Sequence, residues 1–156
     1  MDKKVQRKIK LVAVGGTALT LLGKKTSTMD IDFTGPSRDL QEFIRAHLTL
    51  GHGYDIHLFN DGQIVSQSLP QNYLKKCSSI STNLTKINLL ALHPLDIVLA
   101  KIGRLNLRDI QDIEICIKHY NLTETQIRRR GSRVGYAGNE KVYSMNMERV
   151  IKEFCK

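Results

Sequence analysis

The stretch VGGTALTLLGKKTSTMDIDF, residues 14–33, decides the fold of this chain. Directly before it, the β-branched run IKLVAV at 9–14 predicts a strand, and Gly15-Gly16 predicts the tight turn that ends the strand. The apolar residues after the turn are compatible with a short helix. Residues 29–33 then alternate acidic and apolar side chains over the length of a strand. The stretch therefore predicts strand, turn, helix and strand in succession.

Asp30 and Asp32 are the chemically informative residues of the second strand. Because side chains alternate across a strand, both carboxylates point to the same face. Like charges this close repel each other unless a cation lies between them, and Mg²⁺ prefers carboxylate oxygens. Gly15-Gly16 would let a phosphate approach the backbone, and Thr17 at the helix start adds a hydroxyl donor. The pattern predicts a phosphate site beside a metal site.

The remainder of the chain predicts a single domain with a mixed half of strands and helices, residues 1–92, and a helical part, residues 93–156. The expected further strands are 54–59 and 87–92, with weak strand signals at 64–69 and around Ile80. The expected further helices are Ser37 to about His47, one opened by His93-Pro94, 107–119, one that starts at the capping box Thr123-x-x-Gln126, and 146–154.

Composition narrows the class of protein. The 156 residues are 41% hydrophobic, which supplies one core, and 24 Lys and Arg against 15 Asp and Glu give a net charge of +9. An excess of positive charge favours polyanionic partners such as RNA, DNA or nucleotides. Three dispersed cysteines fit neither a disulfide framework nor a CxxC zinc site. We expect a cytoplasmic protein without membrane contact, because no apolar run approaches the ~20 residues that span a bilayer.

The glycine turn and the Asp-x-Asp strand resemble the signature of the nucleotidyltransferase superfamily with the polymerase-β-type fold. Within it, the chain is most similar to small archaeal and bacterial proteins related to the AbiEii-type toxin nucleotidyltransferases. The similarity covers GGTAL at 15–19, Gly23, Thr28 and DIDF at 30–33, and extends to LHPLDIVLAKIGRLNLRDIQDI at 92–113. It implies an α+β fold, a nucleotidyltransferase-like mixed sheet flanked by helices with a helical C-terminal portion.

The same resemblance implies residue roles. Asp30 and Asp32 would hold two Mg²⁺ or Mn²⁺ ions, and Asp55 in YDIHLF would be the third carboxylate, which assists deprotonation of the attacking hydroxyl. Lys101 would contact the triphosphate. The expected nucleotide-binding residues are therefore Gly15, Gly16, Thr17, Thr28 and Lys101.

Two further patterns have an ordinary interpretation beside the functional one. Arg108-Asp109-x-x-Asp112 also resembles these relatives, but Arg108 and Asp112 could equally form an i, i+4 pair on a solvated helix face. The basic run Arg128, Arg129, Arg130 and Arg133 could contact a nucleic-acid phosphate backbone or could be a solvated helix end.

Other motifs are weaker. His52, Asp55 and His57 could be zinc ligands, but three ligands so close in sequence would need a fourth or an open site that the sequence does not indicate. A P-loop is excluded, because it would need glycine at Ala18 and Ser or Thr at Lys25.

The resemblance implies an enzyme that moves a nucleoside monophosphate from an NTP to an acceptor hydroxyl. The charge of +9 favours RNA, such as tRNA, as acceptor. One alternative is a catalytically inactive module of this fold that binds nucleotide or RNA, or that pairs with a partner protein as in a toxin–antitoxin system. Another is a basic nucleic-acid-binding protein of a different fold, in which the three aspartates would not converge.

Overall fold

A computed structural model describes residues 1–50 and 55–155, and these residues form a mixed α+β structure. The strands are β1 (Ile9–Ala13), β2 (Ile31–Gly35), β3 (Ile56–Asn60), β4 (Gln63–Ile64), β5 (Gln67–Ser68), β6 (Ser78–Ser79), β7 (Ile87–Ala91) and β8 (Gly135–Tyr136). The helices are α1 (Gly15–Leu21), α2 (Ser37–Leu48), α3 (Pro94–Ile102), α4 (Leu107–Tyr120), α5 (Glu124–Gly131) and α6 (Glu140–Phe154), with short 3-10 turns at Asp2–Lys4 and Tyr73–Lys76.

The main sheet has the strand order β3-β2-β1-β7-β6. Strand β1 runs parallel to β7 and antiparallel to β2, and β2 runs parallel to β3. The carboxyl end of β1 therefore lies at the same edge of the sheet as the amino ends of β2 and β3. The carboxyl end of β7 reaches this edge too and leads into α3. This topology brings the glycine turn, the two aspartates and the third and fourth helices together.

Two hydrophobic clusters cover the two faces of the sheet. Ile9 and Leu11 of the central strand β1 pack with Leu40, Phe43 and Ala46 of α2 in the smaller cluster. The larger cluster lies on the other face and contains buried residues of α1, α3, α4, α5 and α6. Burial on both faces explains why the sequence of β1 is almost continuously apolar rather than alternating. The larger cluster includes buried residues from both parts of the chain that the sequence distinguishes, 1–92 and 93–156.

Helix starts follow the local chemistry of the sequence. The His93 side chain accepts a hydrogen bond from the Leu95 N–H, and Pro94 follows it in the first turn of α3. The predicted capping box of Thr123 and Gln126 is confirmed. A second capping box, formed by Asn106 and Asp109 at the start of α4, was not predicted.

Several predicted boundaries need correction. Helix α6 begins at Glu140, six residues before the predicted start, because the Asn139 side chain accepts from two backbone N–H groups there. The weak strand signals correspond to the short strands β4, β5 and β6, and β5 also pairs with the unpredicted β8. Of the predicted strand 54–59, Tyr54 lies outside the described residues. In residues 1–50 and 55–155, no helix has both the length and the apolar character to cross a membrane.

Candidate active site

A cavity of about 500 Å³ opens at the edge of the sheet where β1 ends and β2 and β3 begin. One wall is formed by the glycine turn and by the carboxylates of Asp30, directly before β2, and of Asp32 within β2. The opposite wall is formed by cationic side chains of α3, of the turn after α3 and of α4. The lining includes Gly15, Gly16, Lys25, Thr28, Asp30, Asp32, His57, Lys101, Arg104, Arg108, Asp109 and Asp112.

Asp30 and Asp32 both line the cavity, as their shared strand face predicts. Thr17 fixes their backbone: its hydroxyl donates to the Asp30 carbonyl at 3.0 Å and accepts from the Asp32 N–H at 2.9 Å. Thr17 is buried and does not belong to the cavity lining described here. The prediction that Thr17 donates to a nucleotide is therefore corrected, because its hydroxyl positions the aspartates instead.

The glycine turn is packed tightly against the same residues. Gly15 has φ +53, and a Cβ built on it would lie 3.6 Å from Asp32 Oδ2. A Cβ on Gly16 would lie only 2.6 Å from Thr28 Oγ1. Thr28 lines the cavity, its hydroxyl donates to the Asp30 carbonyl at 3.1 Å, and its role in nucleotide binding stays a prediction. Glycine is favoured at position 15 by its positive φ rather than by lack of space, since a Cβ there would have room, and at position 16 because a Cβ would collide with the Thr28 hydroxyl.

His57 lies directly opposite Asp32 in the β2–β3 register. The Nδ1 atom of His57 is 3.0 Å from Asp32 Oδ1, and this hydrogen bond raises the pKa of His57, with smaller contributions from Asp55 and Asp30. Asp55 is exposed, precedes β3 and is not among the residues that line the cavity in the described parts of the chain. All three predicted aspartates are thus close enough to influence His57, but an imidazole faces Asp32.

The donor set can be compared with what Mg²⁺ requires. Within residues 1–50 and 55–155, no three His, Cys, Asp or Glu side chains converge on a point where they could hold a metal ion. Mg²⁺ is normally held by one or two carboxylates together with waters and substrate phosphates, rather than by an all-protein cage. Asp30 and Asp32 beside an open cavity fit that mode. Of the three suggested zinc ligands, His52 lies outside the described residues.

The opposite wall is built on a buried ion-pair network. Lys101 Nζ lies 2.8 Å from Asp109 Oδ1 and 2.9 Å from Asp112 Oδ2. Arg104 donates to Asp109 through Nε at 2.7 Å and Nη2 at 2.9 Å, and Lys25 Nζ lies 2.9 Å from Asp112 Oδ1. Burial alone would raise the pKa of Asp109, but the hydrogen bonds from Arg104 and Lys101 outweigh it and lower that pKa to about 2.

This ion-pair network bears on the Arg108-Asp109-x-x-Asp112 pattern, because it shows which side chains pair with the two aspartates. Asp109 and Asp112 are buried and contact Lys101 of α3, whereas Arg108, the residue before Asp109, is exposed. The partners of Asp112 are Lys25 and Lys101. Of the two interpretations left open for this pattern, the solvated i, i+4 pair between Arg108 and Asp112 is therefore wrong.

Arg104 is the cation that faces the aspartates across the cavity. Its side chain is 57% exposed although Asp109 anchors its guanidinium. The hydrogen bond to Asp109 raises the pKa of Arg104, and Asp32 and Asp30 contribute in the same direction. Lys101 lines the cavity but is 10% exposed and held between two carboxylates. Sequence reasoning missed Arg104 and Lys25. For Arg104 the available signal was its position three residues after Lys101, in the turn that follows α3.

The four arginines of the predicted basic run, Arg128, Arg129, Arg130 and Arg133, have different environments in the structure. Arg130 is buried, and its Nε and Nη2 atoms each donate to Asp96 at 2.7 Å. Arg128 is paired with Glu124 and Glu148. Arg130 is therefore corrected from a nucleic-acid contact to an internal ion pair, while exposed Arg129 and Arg133 stay predicted contacts.

Comparison with known proteins gives two matches. A family model described as a nucleotidyltransferase of unknown function (DUF6036) matches residues 1–154. The fold is similar to that of the antibiotic-resistance factor ANT(2'')-Ia in solution, with a TM-score of 0.54 and 13% sequence identity over 90% of this chain and 88% of that one. No curated protein sequence matches the chain significantly. The predicted α+β class and its mixed sheet are confirmed. At 13% identity, the similarity to ANT(2'')-Ia shows the fold alone.

Proposed function

Since the chain belongs to the family of nucleotidyltransferases of unknown function that its sequence matches, we propose that it transfers a nucleoside monophosphate from an NTP to an acceptor hydroxyl. The observation that carries the proposal is the opposition of two walls in one cavity. Asp30 and Asp32 form the anionic wall, and Arg104 with Lys25 forms the cationic one. A triphosphate with a divalent cation complements both walls at once.

The two aspartates would hold Mg²⁺ or Mn²⁺, and the family resemblance implies two ions. When bound, these ions would neutralise phosphate charge and stabilise both the attacking and the leaving oxygen. Asp109 accepts from the Nε and Nη2 atoms of Arg104, and the other edge of the guanidinium, with Nη1, would donate to phosphate oxygens. The two hydrogen bonds to Asp109 fix the orientation of the guanidinium before the substrate arrives. Lys25, a third exposed, adds a point charge from the loop before β2.

The reaction itself is a displacement at the α-phosphorus. The acceptor oxygen forms a new P–O bond, the bond to the bridging oxygen breaks, and pyrophosphate leaves. The glycine turn beside Asp32 would let the triphosphate lie close to the backbone, since Gly15 and Gly16 line the cavity without side chains. Asp55 remains a predicted third carboxylate for removal of the acceptor proton.

For the acceptor, we propose RNA, with tRNA as one such substrate. The support is electrostatic: the net charge is +9, exposed Arg108 lies at the cavity, and Arg129 and Arg133 are exposed elsewhere. Polyanion binding of this kind depends on salt, because contacts to phosphates release counterions. Transfer to RNA should therefore weaken steeply as the salt concentration rises.

The test is incubation with each α-³²P-labelled NTP, Mg²⁺ or Mn²⁺, and total RNA. Wild type should label RNA, and Asp32→Asn should not. Glu153→Gln, which neutralises an exposed carboxylate on α6, is the matched control and should behave as wild type. Metal-dependent NTP binding without label transfer would instead identify the inactive nucleotide-binding module. Labelling by Asp32→Asn equal to wild type would reject the proposed site.

A further inference from the structure

The lining of the cavity has an apolar part that the triphosphate and its metal do not use. Its apolar side chains include Phe59, Ile64, Val65, Ile97 and Ala100. Of these, Ile64 and Ile97 are buried in the core, whereas Val65 is 64% exposed. Val65 therefore contributes little to the core, and its methyl groups are accessible to a ligand in the cavity.

The backbone at Val65 is strained. Val65 and Ser66 form the two-residue loop between β4 and β5, and Val65 has φ +55. Hairpin loops of this length favour Asn, Asp or Gly where φ is positive, and a β-branched residue in that conformation is a rare outlier. A glycine would make the same turn without the strain. Since neither burial nor backbone preference accounts for a valine here, its place in the cavity points to a function.

The hairpin that carries Val65 is fixed beside the cationic wall. Gln67 of β5 is 2% exposed, and in the amide orientation that satisfies its neighbours it donates to the Ala100 carbonyl at 3.1 Å. In the same orientation its amide oxygen accepts from the Gly103 N–H at 3.2 Å. Gly103 directly precedes Arg104. The hairpin is therefore tied, through Gln67, to the turn that holds the arginine of the proposed phosphate site.

We propose that the nucleobase of the NTP packs with its face against Val65; this inference rests on the proposed function. A triphosphate held by Asp30, Asp32 and Arg104 leaves an uncharged base to be placed in the same cavity. Every base has an apolar face, and ligand sites combine an apolar lining with a few polar groups that fix orientation. A contact to the face separates a nucleotide from a bare polyphosphate, but it does not distinguish one base from another.

The test compares binding of the four common NTPs and of inorganic tripolyphosphate to the full chain in Mg²⁺, by isothermal titration calorimetry. Wild type should bind at least one NTP more tightly than tripolyphosphate. Val65→Gly and Val65→Ala should each weaken binding of that NTP about three- to tenfold, because apolar area is lost, and should leave tripolyphosphate binding unchanged. Val65→Ile, which keeps a β-branched apolar side chain, should bind like wild type. The matched control is Met145→Ala, at a 62% exposed apolar residue that does not line the cavity in the described parts of the chain, and it should change neither affinity.

Thermal unfolding of the same variants separates a binding role from a structural one. Val65→Gly should raise Tm by roughly 2–4 °C because it relieves the strain at positive φ, so its loss of NTP binding would not come from misfolding.

Three results would overturn the assignment of Val65. These are equal losses for NTP and tripolyphosphate, NTP binding unchanged in both Val65→Gly and Val65→Ala, and an effect on RNA labelling at saturating NTP without an effect on NTP binding, which would place the acceptor at Val65. If wild type bound neither an NTP nor tripolyphosphate, the proposed function itself would fail together with this inference, so the two failures are distinguishable.

Discussion

Asp109→Asn is expected to be the most destabilising conservative change near the cavity. Asp109 is fully buried and accepts hydrogen bonds from Lys101 and from two atoms of Arg104, and it also caps the Asn106 N–H. The substitution keeps the size of the side chain and removes the charge. Lys101 then loses one of its two carboxylates while it stays buried.

Two separate estimates give the expected loss in the free energy of unfolding. Breaking a buried ion pair by removal of one partner costs about 3–5 kcal/mol, and the retained contact of Lys101 with Asp112 favours the lower end. Separately, lowering the Asp109 pKa from 3.8 to about 2 corresponds to roughly 2–3 kcal/mol in favour of the charged form. We therefore expect a loss of about 3 kcal/mol in the free energy of unfolding, or roughly 6–12 °C in Tm for a chain of this size.

Urea unfolding followed by circular dichroism measures this loss. The control is Glu114→Gln, which removes an exposed i, i+4 pair with Lys118 and should cost under about 1 kcal/mol. If Asp109→Asn were as stable as the control, the buried network would not be a source of stability and the anchor of Arg104 would need another explanation.

Three further outcomes are expected. Because folding lowers the pKa of Asp109, its stabilisation should be fully present above pH ~4 and lost as the pH falls through about 2. Acid unfolding, followed by the fluorescence of a bound hydrophobic dye, measures this loss. The stability of Asp109→Asn should depend less steeply on pH than that of wild type. Gly16→Ala should cost about 1–3 kcal/mol because its methyl group would meet Thr28, and Thr28→Ala in the same chain should recover most of the loss in thermal unfolding. Arg130→Ala should destabilise the fold by about 3–5 kcal/mol because it strands buried Asp96, and an unchanged Tm would contradict the internal ion pair.

The site wall on the main sheet was predictable from sequence because its signals are local. The alternation around Asp32 fixed which face the carboxylates share, and Gly15-Gly16 marked the turn whose positive φ the structure shows. The α3 start was equally local, since His93 and Pro94 are a cap and a first-turn residue. In each case the interaction spans only a few residues.

The opposite wall was only partly predictable, because it depends on contacts distant in sequence. Lys25 meets Asp112 across 87 positions, and Arg130 meets Asp96 across 34. A sequence shows that a residue is charged but not whether another segment buries it. The register that places His57 rather than Asp55 opposite Asp32 is also invisible in one sequence, since sliding a strand by two residues preserves its pattern.

Direct binding of NTPs by isothermal titration calorimetry tests the central claim, a cavity that binds a metal-bound triphosphate between its aspartates and Arg104. Wild type should bind at least one NTP only when Mg²⁺ or Mn²⁺ is present. Arg104→Ala and Asp32→Asn should each lose that binding while they remain folded. Binding that persists without divalent cations, or that is unchanged in both variants, would contradict the account.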